Sequence, residues 1–371
     1  MTAVWGSGPE KTWNRFHIRY ASSISFPNGK HGHIVSGIAD VAKAAGVSKS
    51  TASRALSGHG YVSDETRARV ERAASALGFV PSLTAASLVT GQSRNVGVVT
   101  PFINRWFFAE VLEGIESALI SAGYDLTLYR LTADPEQRQR VFNYFLVRKR
   151  VDAVIAVSIA LTPTEVGMLH ALNKPIIGIG GAIDGISTLS IDDFEAARMA
   201  TDHVIGLGHT RIMHLGGDLG PQMDFRVHAN RLAGFRDALT AAGIDSQDDV
   251  RAAAFTIPGG HSTALNVLAD PRTRPTAIVA GSDEIAIGVI LAARQLGIQV
   301  PQQLSVVGID DHDLAELFGL TTVRQEPAQQ GNLAVELVME ELAHPTIDAA
   351  KEHHIPVAML VRSSTTAPPV R

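Results

Sequence analysis

Lys49, Ser50, Ser53 and Arg54 stand at i, i+1, i+4 and i+5 in "GVSKSTASRALSG", so a helix there carries all four on one face, opposite Ala52, Ala55 and Leu56. Hydroxyls, an ammonium and a guanidinium are the groups that bond phosphate oxygens and base edges, and a helix N-terminus itself attracts phosphate. The chemistry on offer is nucleic-acid recognition. The helix alone leaves a second reading open, a solvated face on a small structural subdomain.

A second set lies further along. "RWFFAE" holds Trp106, Phe107 and Phe108 just after an apolar run, Arg231 precedes "LAGF", and Asp310 ends the run "SVVGID". An Arg and an Asp, were they to converge from different strand ends, would be hard to account for as core, and aromatic faces suit sugar rings and other flat apolar surfaces. On sequence alone, one of the two Phe residues serves equally well as core. Catalysis finds no comparable set. Neither G-x-S-x-G nor H-E-x-x-H occurs, and "GIGG" at 178–181 has the wrong spacing for a dinucleotide loop and opens no helix. His31 with His33 and His353 with His354 are isolated pairs, and the chain has no cysteine to make a thiolate site or a disulfide. No catalytic residue, metal or cofactor is expected.

The first set needs helices to hold it. Ile38, Val41, Ala42 and Ala45 recur with helical spacing up to Gly46; Ser48 caps a second helix with Ala52, Ala55 and Leu56 inward; Ser63 caps a third through Val70, Ala73, Ala74 and Leu77 to Gly78. These three make a small trihelical unit over 38–81, after an aperiodic stretch, 1–37, that reads as an extension without ordered structure. "SLTAASLVTGQSRN" follows as a polar linker with one large apolar side chain, Leu88, and enough Ala for a helical turn or two if something supports it.

The second set needs strand ends. From Asn95 apolar runs such as "VGVV", "DAVIAVS", "PIIGIG", "IMHLGG", "AIVAG" and "SVVGID" alternate with amphipathic helices, one of them ending at Arg150. Such alternation predicts parallel sheets covered on both faces, and two successive series predict two lobes with a cleft at the strand carboxyl ends. Hydrophobic residues at 45% and charged residues at 19% leave ample material for both cores. No run approaches a membrane span and residues 1–37 lack the apolar centre of a signal peptide, so a cytoplasmic protein is expected. Charge divides along the same line. Residues 1–94 hold 11 Lys and Arg against 5 Asp and Glu, and the remainder 21 against 32. A basic arm on an acidic body is the balance expected when only one part meets a polyanion.

These stretches resemble one family. Ile38 to Leu56 fit "I-x-D-V-A-x-x-A-G-V-S-x-x-T-x-S-R-x-L", followed by "VSDETRARVERAASALGFVPS", "AASL", "HVIGLGHTRIMHLGG", "NRLAGF", "SDEIAIG" and "SVVGIDD", in the order found in the lactose-repressor and galactose-repressor family of bacterial transcription regulators. The resemblance covers residues 38–371. It implies a multidomain fold: an all-α helix-turn-helix headpiece (38–81), a hinge (82–94) and an α/β effector and dimerisation domain of periplasmic-binding-protein type (95–371). The lobes of that domain are expected at 95–191 plus 327–352 and at 192–326 plus 353–371.

The function implied is that of a DNA-binding repressor of carbohydrate genes, a homodimer on a palindromic operator, switched by a sugar or sugar derivative between the lobes. Lys49, Ser50 and Arg54 are implied as base readers, with Ser48, Thr51, Ser53 and Tyr61 on the backbone and Leu88 as a minor-groove wedge. For the effector the implied contacts are Phe107, Phe108, Arg231 and Asp310, with Ser282 and Gln325 at more variable positions. Gly37 departs from the family where a capping hydroxyl is usual, as do Ser82 and Leu83 where a polar and a basic residue are common. "SSTTAPPVR" carries no leucine heptad, which points away from the tetramerising tail of some relatives. The competing reading is a cytoplasmic sugar-binding sensor whose headpiece does not read an operator.

Overall fold

The computed structural model describes residues 37–57, 60–79, 92–146, 151–217, 226–245, 249–344 and 350–369. The extension before Gly37 and Leu88 of the hinge lie outside these residues. The chain divides into two compact units, 1–82 and 83–371.

The first unit contains α1 (Ile38–Ala45), α2 (Lys49–Ser57) and α3 (Asp64–Ala76). Gly46, at φ 63°, closes α1 and lets α2 begin three residues later. Gly37 cannot cap α1 with a side chain. Asp40 reaches back instead, and its Oδ2 accepts from the Gly37 N–H at 2.8 Å. Val41, Ala42, Ala45, Ala52, Ala55, Val70 and Ala74 are buried together. Leu77, expected to face inward, is 37% exposed. The chain turns at Gly78, and Phe79 packs on the core in its place.

The second unit holds two six-stranded sheets, ordered β11-β5-β4-β3-β1-β2 and β12-β10-β9-β8-β6-β7. In the first, β1 (Asn95–Thr100), β2 (Asp125–Arg130), β3 (Ala153–Val157), β4 (Ile176–Ile179), β5 (Ser187–Ile191) and β11 (Glu352–Ile355) are all parallel. In the second, β6 (Ile212–Gly216), β7 (Val250–Ala252), β8 (Ala277–Ala280), β9 (Ser305–Asp310) and β10 (Thr321–Arg324) are parallel, and β12 (Ala358–Leu360) lies antiparallel on β10. The strands read from apolar runs are buried along their length because helices cover both faces.

The chain crosses between the sheets after β5, after β10 and between Ile355 and Ala358. The last crossing corrects the lobe boundary expected at 352: His353, His354 and Ile355 pair with Leu189, Ser190 and Ile191 in the first sheet. The helix expected to run to Arg150 is also different. Among the described residues, which leave out Arg150, it is α-helical over Pro135–Arg140 and continues as a π-helical turn over Val141–Leu146, in which Val141 and Phe142 are buried. Among the described residues no helix is long and apolar enough to cross a membrane.

Candidate functional site

Ser48 fixes where α2 begins. Its Oγ accepts from the Thr51 N–H at 3.1 Å and lies 2.9 Å from Ser50 Oγ and 2.8 Å from Thr51 Oγ1. Lys49, Ser50, Ser53 and Arg54 are exposed on the first turns, as their spacing predicts, and Thr51 is half-buried. Arg54 Nε donates to Ser50 O at 3.2 Å, which lays the stem of the side chain along its own helix. Tyr61 is 92% exposed. Behind this face Arg67 Nη1 donates to Ala55 O at 3.0 Å and ties α3 to the end of α2, a link that no periodicity reveals.

The six residues expected at the effector site, Phe107, Phe108, Arg231, Ser282, Asp310 and Gln325, line one cavity between the two sheets. Arg231, Ser282, Asp310 and Gln325 are buried. Arg231 Nε donates to Asp193 Oδ1 at 2.8 Å, Nη1 donates to Gly281 O and lies 3.7 Å from Asp310 Oδ1. Asp310 Oδ1 accepts from Gln325 Nε2 at 2.6 Å, and Gln325 Oε1 from Gln330 Nε2 at 2.9 Å. This chain of bonds runs from the end of β9 to helix Pro327–Ala343, which packs on the first sheet, and so joins the two lobes. Ser282 has a structural duty as well, since its Oγ accepts from the Ile285 N–H at 3.3 Å and starts helix Asp283–Gln295.

Asp310 and Asp311 adopt φ of 130° and 57°. Two successive non-glycine residues with positive φ cost on the order of 1–3 kcal/mol each and are found where a site needs a particular backbone direction. Burial raises the pKa of Asp310, and Arg231 opposes the rise. Asp283, wholly buried beside it, is raised first by burial and then by the charge of Asp310. It accepts from Thr322 Oγ1 at 2.7 Å and from the His312 N–H at 2.9 Å. Only a glycine at 308 leaves room for this carboxylate against β9. Burial and then Asp310 raise Glu284 to about 6, against the pull of Arg105.

Several cavity residues were not expected: Phe102, Arg105, Asp193, Phe255, Glu284 and Gln330. Asp193 follows β5, a strand whose polar sequence conceals it, and a strand-end carboxylate goes unseen with it. Phe102 and Phe108 meet edge-on at 5.4 Å, Phe107 and Phe108 likewise, and Arg105 lies 3.6 Å over the Phe102 ring. Trp106 stacks on His312 at 4.8 Å, from the first lobe onto the second. An aromatic wall facing buried carboxylates and amides is chemically suited to a small molecule with flat apolar faces and hydroxyls to donate.

Beneath the cleft floor His214 is buried in β6, and burial lowers its pKa to about 4. A histidine with a depressed folded pKa contributes stability that is present above pH 6.5 and is lost as pH falls toward 4. The shift corresponds to about 3 kcal/mol. Urea unfolding midpoints are therefore expected to fall between pH 7 and 5 more steeply in the native chain than in His214→Gln. Equal slopes in the two would remove His214 as the cause.

Residues 37–82 match the model of bacterial regulatory proteins of the lacI family, and residues 201–365 a periplasmic binding protein-like domain. The chain is 32% identical over 326 residues to the ribose operon repressor of Escherichia coli strain K12, an alignment covering 86% of this chain and 97% of that protein. With the HTH-type transcriptional repressor PurR of Vibrio vulnificus strain CMCP6 it shares 31% identity over 315 residues, 82% of this chain and 91% of that one. The lac repressor dimer bound to operator and the anti-inducer ONPF has a TM-score of 0.79 at 25% identity, covering 90% of this chain and 99% of that chain. The transcriptional regulator CelR in complex with cellobiose has a TM-score of 0.66 at 28% identity, covering 89% and 99%.

Proposed function

The chain belongs to the lacI family of bacterial regulatory proteins, and from that premise we propose that it is a transcriptional repressor binding a palindromic operator as a homodimer under the control of a sugar or sugar derivative. One observation carries this reading: a single chain holds both a capped helix with Lys49, Ser50, Ser53 and Arg54 outward and an interlobe cavity that gathers Arg231, Asp310 and Gln325 with Phe107 and Phe108.

Lys49, Ser50 and Arg54 read base edges in the major groove, while Ser48, Thr51, Ser53 and Tyr61 meet phosphates and Leu88 wedges the minor groove. Ser48 and Thr51 do so chiefly by setting the helix start, whose N–H groups face the phosphate. One short recognition helix makes too few contacts for specific affinities of about 10⁻⁸ to 10⁻¹¹ M, which is why two headpieces are required. The protein catalyses no reaction and acts in the cytoplasm, where its DNA lies. Effector binding changes the angle between the lobes, and by linkage operator binding changes effector affinity by the same factor.

In the cleft the aromatic rings cover the ring faces of the sugar, Asp310 accepts from its hydroxyls and Arg231 holds Asp310 in place. The test is a panel of sugars assayed for their effect on operator affinity. Asp310→Asn is expected to need about tenfold or more of the active sugar for the same effect, because it replaces a charged acceptor by a neutral one. Operator affinity without sugar should stay as in the native chain. A normal response in the variant would take Asp310 out of the site.

A further inference from the structure

We propose that Asp152 anchors the segment joining headpiece to effector domain, and that specific operator binding depends on this anchor. The polypeptide coming from the headpiece enters the first sheet at Asn95. Immediately before it, Asp152 Oδ1 accepts from the Ser93 N–H at 2.9 Å and Oδ2 from the Arg94 N–H at 2.7 Å. The Asp152 N–H donates to Asn95 O at 2.7 Å, and Arg94 O accepts from the Asp125 N–H at 2.8 Å. Three consecutive residues are thus pinned to two neighbouring strands. A carboxylate that takes two adjacent amides resists rotation of the segment as well as displacement, where one bond would leave a swivel.

The anchor is built into the lobe. Asp152 is 3% exposed, and Lys174 Nζ lies 3.9 Å from its Oδ1. Arg94 is held at φ 48°, a conformation unfavourable for a residue with a Cβ, so the direction in which the chain leaves the sheet is imposed by the clamp.

Its position links the clamp to the cleft. Asp152 begins the run into β3, and Ser158 at the far end of that strand lines the effector cavity. β1 runs beside β3 in parallel, from the clamp toward Phe102 and the aromatic wall. Six residues of extended chain span about 20 Å and move with the sheet as one piece. A rotation of the first lobe set in the cleft therefore reaches the joining segment through the carboxylate of Asp152, a positioning residue that touches neither DNA nor effector.

This inference rests on the repressor reading, and its test separates the two. The probe is the palindromic fragment that the native chain enriches from genomic DNA, compared with a scrambled fragment of equal length. Full-length Asp152→Ala is expected to bind the palindrome about 10- to 100-fold more weakly, with its affinity for scrambled DNA unchanged. Asp152→Asn keeps one carbonyl acceptor and should recover part of the loss. Leu169→Ala removes a side chain that is 1% exposed in the same lobe and makes none of the clamp's hydrogen bonds, and should bind the palindrome like the native chain. In the native chain itself, slow hydrogen exchange is expected at the Ser93 and Arg94 amides. Palindrome affinity of Asp152→Ala within about twofold of native, an equal loss in Leu169→Ala, or fast exchange at both amides overturns the proposal. If the native chain enriches no palindrome, the repressor reading fails and takes the proposal with it.

Discussion

Replacing Arg231 by Met is expected to destabilise the effector domain by about 3–5 kcal/mol and to abolish the ligand response. Met has a similar volume, so the loss is electrostatic. The guanidinium lies 2.8 Å from Asp193 Oδ1 and 3.7 Å from Asp310 Oδ1, with both carboxylates buried. Removing it leaves two negative groups facing each other in a water-poor site. The pH dependence follows in sign. Burial already raises Asp310, and without Arg231 it rises further. An acid with a raised folded pKa contributes stability that is complete at low pH and is lost as pH rises through that value. The deficit of the variant, read from urea unfolding, should therefore be larger at pH 8 than at pH 5. A deficit below about 1 kcal/mol, or one independent of pH, contradicts the assignment of Arg231 as the hub of the cleft.

Arg54→Ala is expected to have the largest effect on DNA. A bidentate Arg-to-guanine contact discriminates by about 1–3 kcal/mol, and a dimer on a palindrome loses it in both half-sites, for about 2–6 kcal/mol in all. Ala is a strong helix former and Arg54 lies on the exposed face, so α2 itself should persist. Titrations against native operator and against variants of each base pair should show the loss concentrated at one position per half-site. Equal affinity of the native chain for operator and scrambled DNA would remove the basis of the prediction.

The headpiece was the most legible part of the sequence because its signals are local. Ser48, Ser63, Gly46 and Gly78 mark helix ends within a few residues of the stripes they bound, and all four sit at the ends expected. Leu77 failed because the helix stops at that residue: periodicity cannot say that the next turn carries Phe79 into the core. In the effector domain the apolar strands β1, β3, β4, β6, β8 and β9 were readable, whereas β5, β10, β11 and β12 were not. Thr188, Thr321 and Thr322 are fully enclosed, yet nothing in "STLSI" or "TTVR" separates them from loop, since their burial comes from neighbouring strands.

The same cause limited the cleft. Phe107, Phe108, Arg231, Ser282, Asp310 and Gln325 were reached through strand ends and family landmarks, and the structure brings them to one cavity. Asp193 and Gln330 were missed because each lies in the first turn or so of a helix just after a crossing between the sheets, and crossings leave no periodic trace. His312 was missed because its contacts, with Trp106 across the cleft and with Asp283 beneath it, exist only once both sheets are assembled.

The central claim is that this chain reads a DNA sequence through α2. Its most direct test is selection of genomic fragments by the purified full-length protein at moderate salt, with Arg54→Ala run in parallel. The account predicts enrichment of a shared palindrome that the variant does not recover. No shared palindrome, or one recovered equally by the variant, contradicts it.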